Sequence, residues 1–125
     1  MRSDPTLKQW YRKINKKFFD NQLTNNVCVR WANEEDEEEE ERCEEKYFGW
    51  CVPADDGVHE YLIVLSNTRC REVMSNKLLT LAHEMCHIAT QLKDNHGAAF
   101  EFWRQYIADR GIFKKHALVK NLTIF

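Results

Sequence analysis

The chain has 125 residues, 43% of them hydrophobic, including seven Phe, four Trp and four Tyr. This suffices for one small domain, read as 1–125, and no stretch approaches the roughly 20 apolar residues of a membrane span. A formal net charge of −2 conceals an asymmetry: residues 34–45 hold 10 of the 20 acidic residues with one base, Arg42, which leaves 17 bases against 10 acids elsewhere.

At the N-terminus, Met1-Arg2-Ser3-Asp4-Pro5 contains no apolar run, so no secretory signal is expected. Asp4 or Ser3 can cap a first helix with Pro5 at its first position. Leu7, Trp10, Tyr11, Ile14, Phe18 and Phe19 recur at helical spacing to about residue 19, an aromatic core stripe backed by Lys and Arg. Asp20-Asn21-Gln22 reads as a turn, and Val27-Cys28-Val29-Arg30-Trp31 as a strand. The acidic loop at about 33–46 follows; its run 34–41 repels itself and cannot pack a core. It either solubilises the chain or competes internally for basic surface. Tyr47 to Val52 reads as a second strand, Pro53 to Gly57 as a turn and Tyr61 to Leu65 as a third strand. Strands joined by turns favour a three-stranded antiparallel sheet with helices on one side, an α+β layer. The third strand, residues 61–66, is either an ordinary core strand or the edge to which a peptide could add.

The next helix, starting near Ser75 or Asn76, contains His83-Glu84-Met85-Cys86-His87, an H-E-x-x-H pattern in an apolar segment. Positions i and i+4 share a helical face, so both imidazoles can address one metal ion. Glu84 can then act as general base on an activated water. Random placement of 5 His and 13 Glu would give only roughly 0.02 such patterns. His96-Gly97 follows His87 by nine residues, beyond a polar helix end at 91–95. Gly97 permits a tight turn or close backbone approach, which lets His96 return as third ligand. One zinc ion held by His83, His87 and His96 is therefore expected, with Glu84 catalytic. The metzincin spacing fails, because Thr90 and Lys93 stand where its Gly and third His belong. Glu101 lies too soon after His87 for a gluzincin ligand and reads as a solvated carboxylate.

The last helix runs from about Ala98 to Arg110 and stops at Gly111, and residues 118–125 could add a strand or pack on the core. The five cysteines, Cys28, Cys43, Cys51, Cys70 and Cys86, are odd in number and form no C-x-x-C pair. This argues against a disulfide framework and for a reducing, cytoplasmic setting (nuclear in a eukaryote). Cys86 faces away from the two histidines and reads as a small core residue. Bases gather near the ends, at Arg2, Lys8, Arg12, Lys13, Lys16 and Lys17, then at Arg104, Arg110, Lys114, Lys115 and Lys120. That distribution suits a nucleic-acid partner or ordinary solvated helix faces.

The chain resembles the SprT-like (Spartan/SprT) zinc metalloprotease family. The residues that carry the likeness are Asn15, Phe18-Phe19-Asp20, Leu23, Trp31, Gly49, Ile63, Leu65-Ser66, Leu79 to Leu81, His83-Glu84-Met85-Cys86-His87, His96-Gly97 and Phe100. The resemblance implies a minimal zincin-like domain in which His83, His87 and His96 bind zinc and Glu84 is the base. It also implies a substrate protein associated with or crosslinked to DNA, since members couple DNA binding to proteolysis. No C-terminal zinc ribbon of cysteines accompanies the likeness, and the acidic run is not part of the pattern.

The expected function is thus zinc-dependent endopeptidase action on DNA-associated proteins. A peptidase acting on free proteins and a non-catalytic zinc-stabilised binding module are the alternatives. Partners are a protein or peptide substrate and DNA through the basic surface, with no membrane and a monomeric chain. Tyr61, Arg104, Tyr106 and His116 are candidate oxyanion donors.

Overall fold

A computed structural model describes residues 2–33, 49–66, 74–93 and 95–112, with the backbone alone at 74–76. The first helix, α1 (Pro5–Phe18), begins where expected: the Asp4 carboxylate accepts a hydrogen bond of 3.0 Å from the Leu7 N–H, and Pro5 opens the helix. Leu7, Trp10, Tyr11, Ile14 and Phe18 are buried along one face, so the aromatic stripe is core. Lys16 and Lys17 stand in the last turn, where cations complement the helix dipole. The chain leaves through Asp20 and Asn21, both at positive φ (53° and 59°).

Asn15, buried in the same face, fixes that exit. Its Oδ1 accepts from the Leu23 N–H at 3.1 Å, and its Nδ2 donates to the Leu23 carbonyl at 3.0 Å. A buried backbone pair that no strand partner reaches is thereby satisfied, and β1 (Val27–Trp31) starts in a set direction. Tyr11 Oη donates to the Thr24 carbonyl and adds a second tie across the same turn.

The sheet corrects the expected strand arrangement. β2 (Gly49–Pro53) and β3 (Tyr61–Leu65) form the predicted hairpin, with Gly49 opposite Leu65 and Pro53 opposite Tyr61. β1 pairs with the far side of β3 in parallel, Val27 opposite Tyr61 and Trp31 opposite Leu65. The order is β1-β3-β2 and the sheet is mixed, not antiparallel. β3 is central, so it is not the edge to which a peptide could add. The physical reason lies in composition. Tyr61-Leu62-Ile63-Val64-Leu65 is apolar throughout and buried on both faces, which suits a middle strand. β2 includes Pro53, which has no N–H to donate and belongs on an edge. The β2–β3 turn is closed by Gly57 at φ 72° and by Asp56, whose carboxylate accepts from the Val58 and His59 N–H groups at 3.0 and 2.9 Å.

Two further helices complete the α+β fold among the described residues: α2 (Met74–Ala89) and α3 (Ala98–Asp109). The main core lies between one sheet face and the helices, joining α1 residues to Val27, Val29, Ile63, Leu65, Leu78, Leu81, Met85, Phe100 and Ile107. A smaller cluster of Cys28, Leu62 and Val64, edged by Trp50, occupies the opposite sheet face. The acidic run 34–41, Tyr47 and Phe48, and the segment 118–125 lie outside the described residues.

Replacing Asn15 by Ala strips both partners from Leu23. We expect unfolding free energy to fall by about 2–3 kcal/mol, read as a lower denaturant midpoint at unchanged slope. A midpoint equal to wild type would show that the Asn15–Leu23 pair carries no stability.

Candidate metal centre

The helix α2 serves two environments. Leu78, Leu81, Ala82, Met85 and Cys86 follow the i, i+3, i+4 spacing and are buried in the core. His83 and His87 lie on another face, their ring centroids 5.2 Å apart. Cys86 points into the core as expected, and burial pushes its thiol up to about 12, which leaves it inert.

The return of His96 depends on how α2 ends. The Leu92 N–H donates to the His87 carbonyl at 2.9 Å and the Gln91 N–H to the Ile88 carbonyl at 2.9 Å, the paired closure of a Schellman motif. Thr90 Oγ1 donates to the same His87 carbonyl at 3.0 Å. Gln91 and Leu92 are left-handed (φ 56° and 60°), and the chain reverses. His96, not Gly97, makes the second left-handed step, at φ 76°. Gly97 is extended and caps α3, its carbonyl accepting from the Glu101 N–H at 3.0 Å. The tight turn expected at Gly97 is therefore displaced by one residue, onto a side chain that tolerates the left-handed region better than most.

The reversal brings the three imidazoles together. His96 lies with its ring centroid 5.2 Å from that of His83 and 4.8 Å from that of His87. One nitrogen from each ring falls within 4.8 Å of the others, and the His83 and His96 Nε2 atoms are 3.3 Å apart. Tetrahedral zinc with bonds of about 2.0–2.1 Å requires nitrogens roughly 3.4 Å apart, so the donor set fits such an ion. Burial lowers the pKa of His83, and burial with its two neighbouring imidazoles lowers that of His87 to about 4. Both rings are therefore neutral at neutral pH, the state in which imidazole offers a lone pair.

Phe100 supports all three. Its ring, 2% exposed at the start of α3, lies 5.1, 4.6 and 4.8 Å from His83, His87 and His96. An apolar base of this kind restricts the rotamers of the rings above it.

Glu84 is 3% exposed, and burial pushes its carboxyl up to about 7. One carboxylate oxygen stands 4.0 Å from His87 Nε2. Glu84 and the three histidines line one cavity of about 350 Å³ with Gly49, Trp50 and Cys51 of β2. The strand beside the histidines is thus the edge strand β2. Trp50 and Cys51 were not singled out in the sequence, because pairing that brings them here is non-local.

The remaining candidates lie elsewhere. Glu101 is exposed and accepts from Arg104 Nε at 2.9 Å, outside the histidine cluster. Tyr106 Oη donates to Asp20 and accepts from Gln22 and Arg110. Tyr61 lines a separate pocket, and His59 is paired with Asp56 in the β2–β3 turn. Tyr61, Arg104 and Tyr106 do not line the histidine cavity, and His116 falls outside the described residues.

Three convergent imidazoles, a buried carboxylate on the same helix and an edge strand alongside form a site that could hold a metal ion, in an α+β domain of metalloprotease-like build. The SprT-like family matches residues 7–119, nearly the whole chain, and the protein belongs to that family. No curated protein and no solved structure matches the chain.

Removing one imidazole with His96→Ala should weaken zinc binding by at least ~100-fold, and Phe100→Ala, which removes no ligand, by about 10–100-fold. Competition with a chromophoric chelator measures both. Unchanged affinity in Phe100→Ala would show that the rings hold their places without it.

Proposed function

We propose that the chain is a zinc-dependent endopeptidase of the SprT-like type, with His83, His87 and His96 as ligands and Glu84 as the catalytic base. The observation that carries this reading is the convergence of three imidazoles beside a dry carboxylate against a sheet edge. Zinc bound there supplies Lewis-acid activation of a water and of the scissile carbonyl. Glu84 takes the proton from the attacking water and passes it to the leaving amine. Its burial keeps that proton from bulk solvent and favours onward transfer. An extended substrate would lie along β2 (Gly49–Pro53), whose outer side has no strand partner among the described residues.

Substitution of Glu84 by Gln should leave zinc stoichiometry unchanged and abolish cleavage of an unfolded protein substrate. Wild-type cleavage should also stop with a chelator and return with zinc. Retained proteolysis in the Gln variant would refute the base assignment, and no cleavage by zinc-loaded wild type would favour a binding module.

DNA-associated proteins are the proposed substrates. The outward face of α1 supports this: Arg12, Lys13, Lys16 and Lys17 fall on adjacent positions of one stripe. None of the four has an ion-pair partner among the described residues, and the helix has no carboxylate. Such a stripe matches a phosphate backbone. Each cation that displaces a counterion from single-stranded DNA contributes about 0.7 to the salt slope, so Arg12→Ala with Lys16→Ala should lower the slope by roughly 1.4. An unchanged slope would remove α1 from the DNA surface and favour a peptidase of free proteins.

A further inference from the structure

Two pockets meet at the C-terminal turn of α2. Leu92 lines the histidine cavity; Gln91, its neighbour, lines a second pocket of about 230 Å³ with Ile88, Glu60, Tyr61 and Trp103. The two share no lining residue. The second pocket therefore belongs to the opposite flank of the helix end, between the start of β3 and the face of α3.

Its chemistry is uneven in an informative way. Tyr61 and Trp103 are partly buried and line the pocket with aromatic surface, and Ile88 adds a buried apolar side chain. Glu60 adds a carboxylate bonded by one hydroxyl, on a backbone that is itself tied at both its N–H and its carbonyl. Thr24 Oγ1 donates to it, while the Glu60 backbone N–H donates to the Asn26 carbonyl at 2.9 Å and its carbonyl accepts from the Ala54 N–H at 3.1 Å. No Lys, Arg or His among the described residues stands within ion-pair distance of that carboxylate. The Trp103 indole N–H and the Gln91 amide also have no hydrogen-bond partner among the described residues. An exposed glutamate is ordinarily just solvated. Here the carboxylate is fixed at the mouth of a pocket that also offers aromatic surface, and a cation on an apolar stem satisfies both.

We propose that this second pocket binds a Lys or Arg side chain of a polypeptide, with Glu60 as counter-ion and Tyr61 and Trp103 as its aromatic walls. A planar guanidinium suits it better than an ammonium, since it can stack on an indole and present a fork of donors to the carboxylate. That the ligand is a polypeptide rests on the protease reading; the cation site itself does not. Because Leu92 borders the histidine cavity and its neighbour Gln91 borders the second pocket, a chain occupying one is led past the other.

The test reads binding without cleavage. Zinc-loaded Glu84→Gln protein, labelled with nitrogen-15, is titrated with acetyl-Gly-Arg-Gly-amide and with the same peptide carrying citrulline, which keeps the shape of Arg and lacks its charge. The Trp103 indole resonance, assigned through Trp103→Phe, should move saturably with the Arg peptide and about tenfold less tightly with the citrulline peptide. Adding Glu60→Gln, which retains an acceptor for Thr24, should bring the Arg peptide down to the citrulline level. Equal affinities for the two peptides, or shifts confined to the other indoles, would overturn the proposal. Since the protein used cannot cleave, a failure of the protease reading leaves this result unaffected.

Discussion

A Cβ at Gly49 would lie 2.9 Å from the Val64 carbonyl oxygen and 3.0 Å from both Leu65 Cδ2 and Thr80 Cγ2. Real Cβ atoms do not approach that closely, so the absence of a side chain at this one position sets how near β2 can come to α2. The consequences reach the site directly. At that separation Cys51 and Trp50 wall the histidine cavity, and Glu84 is almost dry. Burial is what raises the Glu84 carboxyl, with no anionic neighbour needed, and the strand that carries Gly49 is one wall of the cavity beside it.

The second constraint is the reversal between α2 and α3. Gln91, Leu92 and His96 all adopt left-handed backbone, which costs a non-glycine residue on the order of 1 kcal/mol each. Three such residues in six persist only where the surroundings over-determine them. The His87 carbonyl does much of this, accepting from both Leu92 N–H and Thr90 Oγ1, so the same residue offers its ring to the metal and its carbonyl to the turn. Phe100 then holds the three rings from below. The three imidazoles are already close, and burial keeps His83 and His87 largely uncharged, so little reorganisation would remain to oppose binding of an ion.

What was legible in the sequence was local. The α1 cap at Asp4, the stripe from Leu7 to Phe18, all three strands within two residues and the two-faced α2 follow from periodicities that neighbours along the chain decide. The H-E-x-x-H face and the return of His96 follow from helix geometry and a polar helix end. Strand order was not legible. Three short strands joined by loops fit an antiparallel meander as well as β1-β3-β2, and the choice rests on burying both faces of Tyr61–Leu65. The sequence leaves the edge open between two readings of the third strand for that reason, and Gly49, Trp50 and Cys51 could not be connected to the histidines. Left-handed backbone at His96 was hidden because a glycine stood next to it as the more obvious candidate.

The charge pattern follows from the same division of faces. One side of α1 is committed to the core through Leu7, Trp10, Tyr11, Ile14 and Phe18, so its cations are confined to the other. Asp4 is held in the helix cap and Asp20 is bound by Tyr106 and Arg110, which lowers the Asp20 pKa and keeps both flanking carboxylates occupied. The stripe of Arg12, Lys13, Lys16 and Lys17 is therefore left without an ion-pair partner among the described residues, whereas the Glu60 carboxylate, bonded to Thr24 but to no cation among them, stands at the second pocket, near the end of α2. Opposite charges are thus presented on different parts of one small domain, each without an ion-pair partner among the described residues. A ligand with an anionic backbone would meet the first of these surfaces and a ligand with cationic side chains the second, so the two would not compete for one place on the domain.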